Sequence, residues 1–178
     1  HDRQVAVAVP GVGKTEVVAA LVERLVEVEG VDADDGVLVL SFSNAAVFAV
    51  ERRLRQSGAS LVAVQTMDSL AGEVLHDLAE FETKGLGFDG RIELAARLIA
   101  TEGWDRLERI KHLIVDEVQD VVGVRADFLG RVIEALPEDS GFTALGDPAQ
   151  GIYDFQIQPD SNGRQPTSAT SSQQLVRN

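Results

Sequence analysis

Short apolar runs alternate along the chain with longer segments whose apolar residues recur every three or four positions. An uninterrupted apolar run, such as Val37–Leu40, is typical of a strand buried on both faces of a sheet. The predicted strands are Gln4–Val9, Val37–Leu40, Leu61–Val64, His112–Val115 and Phe142–Leu145.

Amphipathic segments fill most of the intervals between these strands. The predicted helices are Lys14–Glu29, Asn44–Leu54, Met67–Leu78, Arg91–Ala100 and Ala126–Leu136. The glycine-rich stretch Lys84–Gly90 and the Pro-, Ser- and Gln-rich stretch Gln156–Ser172 predict loops. Because short strands separated by helices form parallel sheets with crossover helices, the pattern predicts an α/β fold.

The composition is that of a globular domain and not of a membrane or disulfide-bonded protein. The length of 178 residues suits one domain, and 44% apolar with 25% charged residues is a globular balance. No apolar run approaches the roughly 20 residues of a membrane helix, no signal peptide is visible, and there is no cysteine. We therefore expect a cytoplasmic protein without membrane contact or disulfide bonds. Since the chain begins at His1 rather than Met, we expect a fragment of a longer protein.

The chain is strongly acidic, with a formal net charge of −13 at pH 7. That balance argues against tight, autonomous DNA binding, which depends largely on neutralised phosphates. It leaves nucleotide binding open, because one lysine, a Mg²⁺ ion and backbone dipoles can supply the attraction.

The segment Val9–Thr15 reads VPGVGKT and joins the first predicted strand to the first predicted helix. A glycine-rich loop there is typical of a triphosphate site, because glycines at positive φ turn backbone N–H groups toward phosphate oxygens. Lys14 would supply charge to the β- and γ-phosphates and Thr15 a hydroxyl to Mg²⁺. Ala8 stands where the strict pattern has glycine. The predicted cofactor-binding residues are Pro10, Gly11, Val12, Gly13, Lys14, Thr15 and Glu16.

Two acidic residues follow the predicted strand that ends at Val115. Because the carboxyl ends of parallel strands share one edge of a sheet, we expect Asp116 and Glu117 beside the phosphate loop. Asp116 is predicted to hold Mg²⁺, and Glu117 to orient and activate the attacking water. Gln150 follows another strand, where an amide can sense the γ-phosphate or hold the water, although Gly146-Asp147-Pro148 in isolation is more typical of a turn. The predicted catalytic residues are Glu117, Gln150 and Lys14.

Five segments, in this order, resemble motifs of the first motor domain of UvrD/Rep-type superfamily 1 DNA helicases. They are AVPGVGKT, VLVLSFSNAAVFAVERRL, VAVQTMDSLAGEVL, LIVDEVQD and ALGDPAQGIYDF, and the final QQLVRN is similar to the start of a sixth. The resemblance implies a RecA-like P-loop NTPase fold, with a parallel sheet flanked by helices on both faces. It also implies an ATP- and Mg²⁺-dependent 3′-to-5′ DNA helicase or translocase, and we expect a role in DNA repair or recombination.

The resemblance further implies a motor domain at residues 1–156 that contains a short helical insertion at 71–111. Residues 157–178 would be a polar loop and the start of a truncated motif. The implied partners are single-stranded DNA and a second RecA-like domain of the full-length chain. Because the arginines that complete the ATP site would come from outside this segment, we expect weak ATP binding and very slow hydrolysis by the segment alone.

Contacts with single-stranded DNA are implied at six positions. They are Phe42, Asn44, Thr66, Ser69, Tyr153 and Phe155. Stacking of bases on aromatic side chains tolerates any sequence, as a translocating motor requires. Asp68 and Ala45 stand where the family has His and Lys, and a carboxylate at position 68 would repel phosphate. At position 155 the family more often has Trp.

Two other functions are compatible with these residues. A P-loop kinase or nucleotide switch would share the phosphate loop, although LIVDEVQD and GDPAQGIYDF favour the helicase family. A non-catalytic interaction module, or a segment that binds ATP without hydrolysing it, would keep the fold and lose the activity. The presence of Lys14, Thr15, Asp116 and Glu117 argues against that loss.

Overall fold

The structure is a computed structural model that describes residues 3–7 through their backbone, and 13–59, 61–79, 83 and 85–146 in full. Five strands form one sheet. They are β1 (Arg3–Val7), β2 (Val37–Ser41), β3 (Ala63–Thr66), β4 (His112–Val115) and β5 (Gly141–Gly146).

Six α-helices connect or follow these strands in the described part of the chain. They are α1 (Lys14–Glu23), α2 (Asn44–Ser57), α3 (Met67–Leu78), α4 (Phe88–Glu102), α5 (Asp105–Arg109) and α6 (Val124–Ala135). A π-helical segment, Arg24–Val28, continues α1, and a 3₁₀ turn, Val118–Asp120, lies between β4 and α6.

The strand order is β1-β5-β4-β2-β3, and every neighbouring pair is parallel. β4 therefore lies at the centre of the sheet. The predicted parallel α/β fold is confirmed. Because all strands point the same way, their carboxyl ends lie along one edge, which we call the carboxyl edge.

Helices cover both faces of the sheet, as predicted. Alternate residues of a strand point to opposite faces, and here both sets are apolar. Leu113 and Val115 pack on the face covered by α3, α4, α5 and α6, whereas Ile114 packs on the face covered by α1 and α2. Burial on both sides explains why the strands read as uninterrupted apolar runs rather than as alternating ones.

Several predicted boundaries were wrong. The strand predicted at Leu61–Val64 begins at Ala63, and Leu61 is 67% exposed in the turn before it. The helix predicted to reach Glu29 ends its regular part at Glu23, because the N–H of Glu29 bonds to the carbonyl of Arg24 in a wider π-helical turn.

The loop predicted between α3 and α4 from its glycine content was partly wrong. The loop predicted at Lys84–Gly90 overlaps α4, which begins at Phe88 with Gly87 as its extended N-cap. The buried residues of α4, among them Ile92 and Ala95, pack into the core. This packing outweighs the low helix propensity of Gly90. The five-residue helix α5 was not predicted.

None of the helices in the described residues is both long enough and apolar enough to cross a membrane.

At the amino end of β4, His112 lies against β5. Its Nε2 is 2.9 Å from Thr143 Oγ1, and partial burial lowers the pKa of the imidazole, although the charge of Glu29 opposes this. The ring lies directly over Gly141. A Cβ atom added there would overlap the His112 ring, with Cε1 at 2.7 Å. The pairing of β4 with β5 therefore depends on the absence of a side chain at position 141.

We expect Gly141→Ala to destabilise the protein by about 1–3 kcal/mol, because the new methyl group must displace the His112 ring from its packed position. Urea denaturation followed by circular dichroism measures the change. The matched control is Gly130→Ala in α6, where an added Cβ meets nothing within 4 Å. Alanine in that helix interior should be neutral or stabilising by up to about 1 kcal/mol. Equal stabilities for the two variants would contradict this account of the β4–β5 contact.

Candidate functional site

The candidate site is built at the start of α1. Gly13 is the N-cap in the left-handed conformation, with φ 38° and ψ 52°, and its carbonyl accepts the N–H of Val17 at 3.0 Å. Glycine adopts this conformation without strain. Among the described residues, no side chain caps this helix start. Its first-turn N–H groups are therefore able to bind an anion, with the helix dipole in support.

Lys14 and Thr15 occupy the first turn of α1 and are both half-buried. Lys14 forms no ion pair within the described residues, although its charge reaches the carboxylate at the end of β4. The positive charge of Lys14 helps to lower the pKa of Asp116. Lys14 and Asp116, about 100 positions apart in the sequence, are therefore close enough for their charges to interact.

Asp116 is the more deeply buried of the two acids, with 4% of its surface exposed. Its N–H donates to the carbonyl of Leu40 at 2.8 Å, so it continues the pairing of β4 with β2. Burial raises the pKa of its carboxyl, against the lowering by the N–H of Glu117 and by Lys14. The N–H of Glu117 donates to Asp116 Oδ1 at 2.9 Å. The outcome is a buried carboxylate whose charge is offset only in part, by the N–H of Glu117 and by the charge of Lys14.

Glu117 has an unusual backbone. Its φ is 57° and ψ is 39°, and it is the only non-glycine residue with positive φ among the described residues. This left-handed conformation costs a non-glycine residue about 1–2 kcal/mol. Strain of this kind often collects at functional positions. The sharp turn it produces points the Glu117 side chain back toward the end of β2.

Two serines at the end of β2 hold that side chain. Ser41 Oγ donates to Glu117 Oε2 at 3.5 Å, and Ser43 Oγ donates to the same oxygen at 3.4 Å. Ser43 Oγ also accepts the N–H of Ala46 at 3.2 Å and so caps α2. These serines were not among the predicted site residues. A serine directly before a helix is a capping signal, but its second contact depends on the tertiary fold.

Glu16, a predicted cofactor-binding residue, is exposed and lies next to α2. Its Oε2 is 2.7 Å from Arg53 Nε, and this hydrogen bond raises the pKa of Arg53. The pair links the first turn of α1 to α2.

The four described residues with a predicted role in strand binding differ in exposure. Phe42 is 42% exposed and Asn44, the first residue of α2, is exposed. Thr66 is buried and caps α3, where its Oγ1 accepts the N–H of Ser69 at 3.1 Å. Ser69 is exposed. All four lie at the carboxyl ends of β2 and β3, so they share an edge with Asp116.

Asp68 does not present an isolated charge. Arg125 Nε and Nη2 donate to its two carboxylate oxygens at 3.0 and 2.7 Å. The expected repulsion of phosphate at position 68 is therefore offset by the Arg125 guanidinium, and nothing in the sequence pattern predicts this contact.

The remaining predicted site residues lie outside the described residues. They are Pro10, Gly11, Val12, Gln150, Tyr153 and Phe155. Their predicted roles stay predictions, as do the roles of the residues described above.

The family model of the AAA domain matches residues 2–156 of the 178-residue chain. The protein belongs to the AAA domain family. This is a P-loop, helicase-like family found in UvrD/Rep-type proteins, and its members bind nucleotides. The comparison with curated proteins gave no match.

The described residues of this AAA domain fit a nucleotide with a divalent cation. The uncapped start of α1 and Lys14 would take phosphate oxygens, while the hydroxyl of Thr15 and the carboxylate of Asp116 are oxygen ligands of the kind Mg²⁺ prefers. The raised pKa of buried Asp116 supports this fit, because a nearby cation would offset the penalty of burial.

We expect Glu117→Gly to be about 1 kcal/mol more stable than Glu117→Ala, because glycine adopts the left-handed conformation without strain. Both variants lose the carboxylate and its hydrogen bonds, so the comparison isolates the backbone. Urea denaturation measures the difference. At Glu93, an exposed position in the middle of α4, the order should reverse, with alanine more stable by about 1 kcal/mol. An alanine variant at position 117 as stable as the glycine variant would show that the turn is unstrained.

Proposed function

We propose that this AAA domain is the ATP-binding motor domain of a UvrD/Rep-type DNA helicase or translocase. The observation that carries the proposal is the position of Asp116, which is buried at the end of β4 and accepts the N–H of Glu117 at Oδ1. The positive charge of Lys14 also helps to lower the pKa of this carboxyl. The proposed phosphate-binding lysine and the proposed acidic residues come from separate sequence motifs. The order of the five helicase-like segments supports the choice of this family over other P-loop enzymes.

The chemistry divides among a few groups. Lys14 and the first-turn N–H groups of α1 bind and orient the β- and γ-phosphates. Mg²⁺ held by Thr15 and Asp116 would neutralise charge that develops on the phosphate oxygens. Glu117 orients a water molecule and accepts its proton as the water attacks the γ-phosphorus. Ser41 and Ser43 orient the carboxylate of Glu117 for that task through weak hydrogen bonds to Oε2.

Single-stranded DNA is the proposed second ligand. Exposed Phe42, Asn44 and Ser69 lie on the carboxyl edge near the nucleotide groups, where a strand would cross the ends of β2 and β3. Tyr153 and Phe155 are proposed to add stacking contacts, and Gln150 to link the γ-phosphate to the strand. With a net charge of −13, the affinity of this chain alone for DNA should be modest.

Full activity is proposed to require a second RecA-like domain. An arginine supplied across the nucleotide is worth on the order of 10³–10⁵ in rate in other P-loop enzymes. Closure of two such domains on ATP would move the strand, in the 3′-to-5′ direction implied by the resemblance, with repair or recombination as the proposed setting.

Nucleotide binding tests the first step. We expect Lys14→Ala to weaken binding of Mg²⁺–ATP about 10- to 100-fold, since hydrogen bonds to charged groups contribute roughly 1.5–3 kcal/mol. Isothermal titration calorimetry on this chain measures the affinity. The control is Lys111→Ala, which removes a lysine at the opposite edge of the sheet, 3.2 Å from Asp139. Equal affinities in the two variants would remove Lys14 from the site.

Hydrolysis tests the second step and uses the full-length chain with and without single-stranded DNA. Glu117→Gln should keep ATP binding within about threefold and lower DNA-stimulated turnover by a factor of about 10² or more, because it removes the proton acceptor and keeps the shape. Phosphate release measures turnover. Transfer of phosphate to a small molecule without DNA dependence would instead support a kinase. Binding without any hydrolysis would support the non-catalytic alternative.

A further inference from the structure

Arg125 joins the starts of three helices on one face of the sheet. It lies in the first turn of α6, and two of its nitrogens donate to the carboxylate of Asp68 in the first turn of α3 at 3.0 and 2.7 Å. Its Nη1 is also 3.7 Å from Asp89 in the first turn of α4. The Arg125 side chain is 25% exposed, so the two-point contact with Asp68 is partly shielded from water.

The position of Arg125 is electrostatically unfavourable without its partners. The first turn of a helix carries the positive end of the helix dipole, which favours acidic and disfavours basic side chains. Asp68 and Asp89 are at favourable places in their own helices, and Arg125 is not. Its placement at the start of α6 therefore depends on these carboxylates, and a planar guanidinium matches the two oxygens of Asp68 better than an ammonium would.

The contact connects two segments with different proposed tasks. On one side, α6 follows Glu117 through a short segment bounded by two residues with positive φ, Glu117 and Gly123, both at 57°. On the other side, Asp68 lies between Thr66 and Ser69, the proposed strand contacts at the start of α3. Because β2 separates β4 from β3 in the sheet, no backbone pairing links these segments directly.

We propose that Arg125 is a positioning residue that couples the strand-binding start of α3 to the segment carrying Glu117. The inference rests on the proposed function and adds to it the residue pair through which the two ligands influence each other. A nucleotide that shifts the Glu117–Gly123 segment moves the start of α6, and Arg125 transmits this shift to Asp68 and its neighbours.

The ion pair between Arg125 and Asp68 leads to a specific prediction for the affinity of the protein for single-stranded DNA. Asp68→Ala removes a negative charge and leaves Arg125, among the described residues, with only the more distant Asp89 as an acidic partner. The variant should bind single-stranded DNA more tightly than the wild type and with a salt dependence steeper by about one phosphate contact. The same substitution should uncouple strand binding from the nucleotide. A merely structural contact would weaken both properties together.

The experiment measures the affinity of the full-length protein for a fluorescent oligothymidylate, with and without Mg²⁺ and a non-hydrolysable ATP analogue. The ratio of the two affinities is the coupling factor, expected on the order of fivefold or more in the wild type. In Arg125→Ala the factor should fall toward one, with nucleotide affinity within about threefold of wild type. The charge-swapped double variant, Asp68→Arg with Arg125→Asp, should restore it in part.

Arg131→Ala is the matched control. It removes an exposed arginine of the same helix, whose Nη1 lies 2.7 Å from Glu134 of that helix, and should leave the coupling factor unchanged. If Arg125→Ala does not fold, Arg125→Lys keeps the charge without the two-point contact, and its coupling factor should still fall. An unchanged coupling factor in folded Asp68 and Arg125 variants would overturn the inference alone. A wild-type protein that binds neither ligand would overturn the proposed function as well.

Discussion

The buried carboxylate of Asp116 is the constraint around which the site is organised. It sits at the end of the central strand of an all-parallel sheet, and its N–H is bonded to the neighbouring strand at 2.8 Å. The backbone at this point cannot shift without breaking the sheet. Burial raises the pKa of the Asp116 carboxyl, and the N–H of Glu117 and the charge of Lys14 offset this rise only in part. The partly neutralised carboxylate of Asp116 favours a divalent cation, and the uncapped start of α1 favours phosphate. A ligand that brings both would therefore suit this edge of the sheet.

The rigidity of Asp116 contrasts with the strain of the next residue. Glu117 turns the chain through a left-handed conformation and places its carboxylate beside Ser41 and Ser43, at distances of 3.5 and 3.4 Å that make weak hydrogen bonds. Ser43 also caps α2, whose first residue is exposed Asn44. A ligand that moves the start of α2 would therefore disturb the contacts of the proposed catalytic carboxylate. The proposed metal ligand and the proposed water-activating residue are thus adjacent in the sequence but differ in how firmly the structure holds them.

Much of the fold could be predicted because its determinants are local. Strands buried on both faces must be apolar throughout, so runs such as Leu113–Val115 are recognisable in the sequence. The phosphate-loop motif and the acidic pair are each contiguous in the sequence, and the parallel sheet places the start of α1 and the acidic pair after β4 at the carboxyl edge. The roles of Ser41 and Arg125 could not be predicted, because each depends on contact with a residue more than 50 positions away. The start of α4 was missed because tertiary packing outweighed glycine propensity.

The acidic net charge also limits the kinds of contact through which this chain could bind DNA. Seven arginines of the described residues form ion pairs with carboxylates, so few cations of this part of the chain remain for a phosphate backbone. Exposed aromatic surface is present instead, with Phe42 42% and Phe48 58% exposed at and just inside the start of α2. Stacking of bases on aromatic rings contributes about 1–3 kcal/mol per base and depends little on sequence. The proposed motor would have to release each nucleotide of the strand as it advances. Several weak stacking interactions can be exchanged one at a time, whereas a dense array of ion pairs would hold the strand in place.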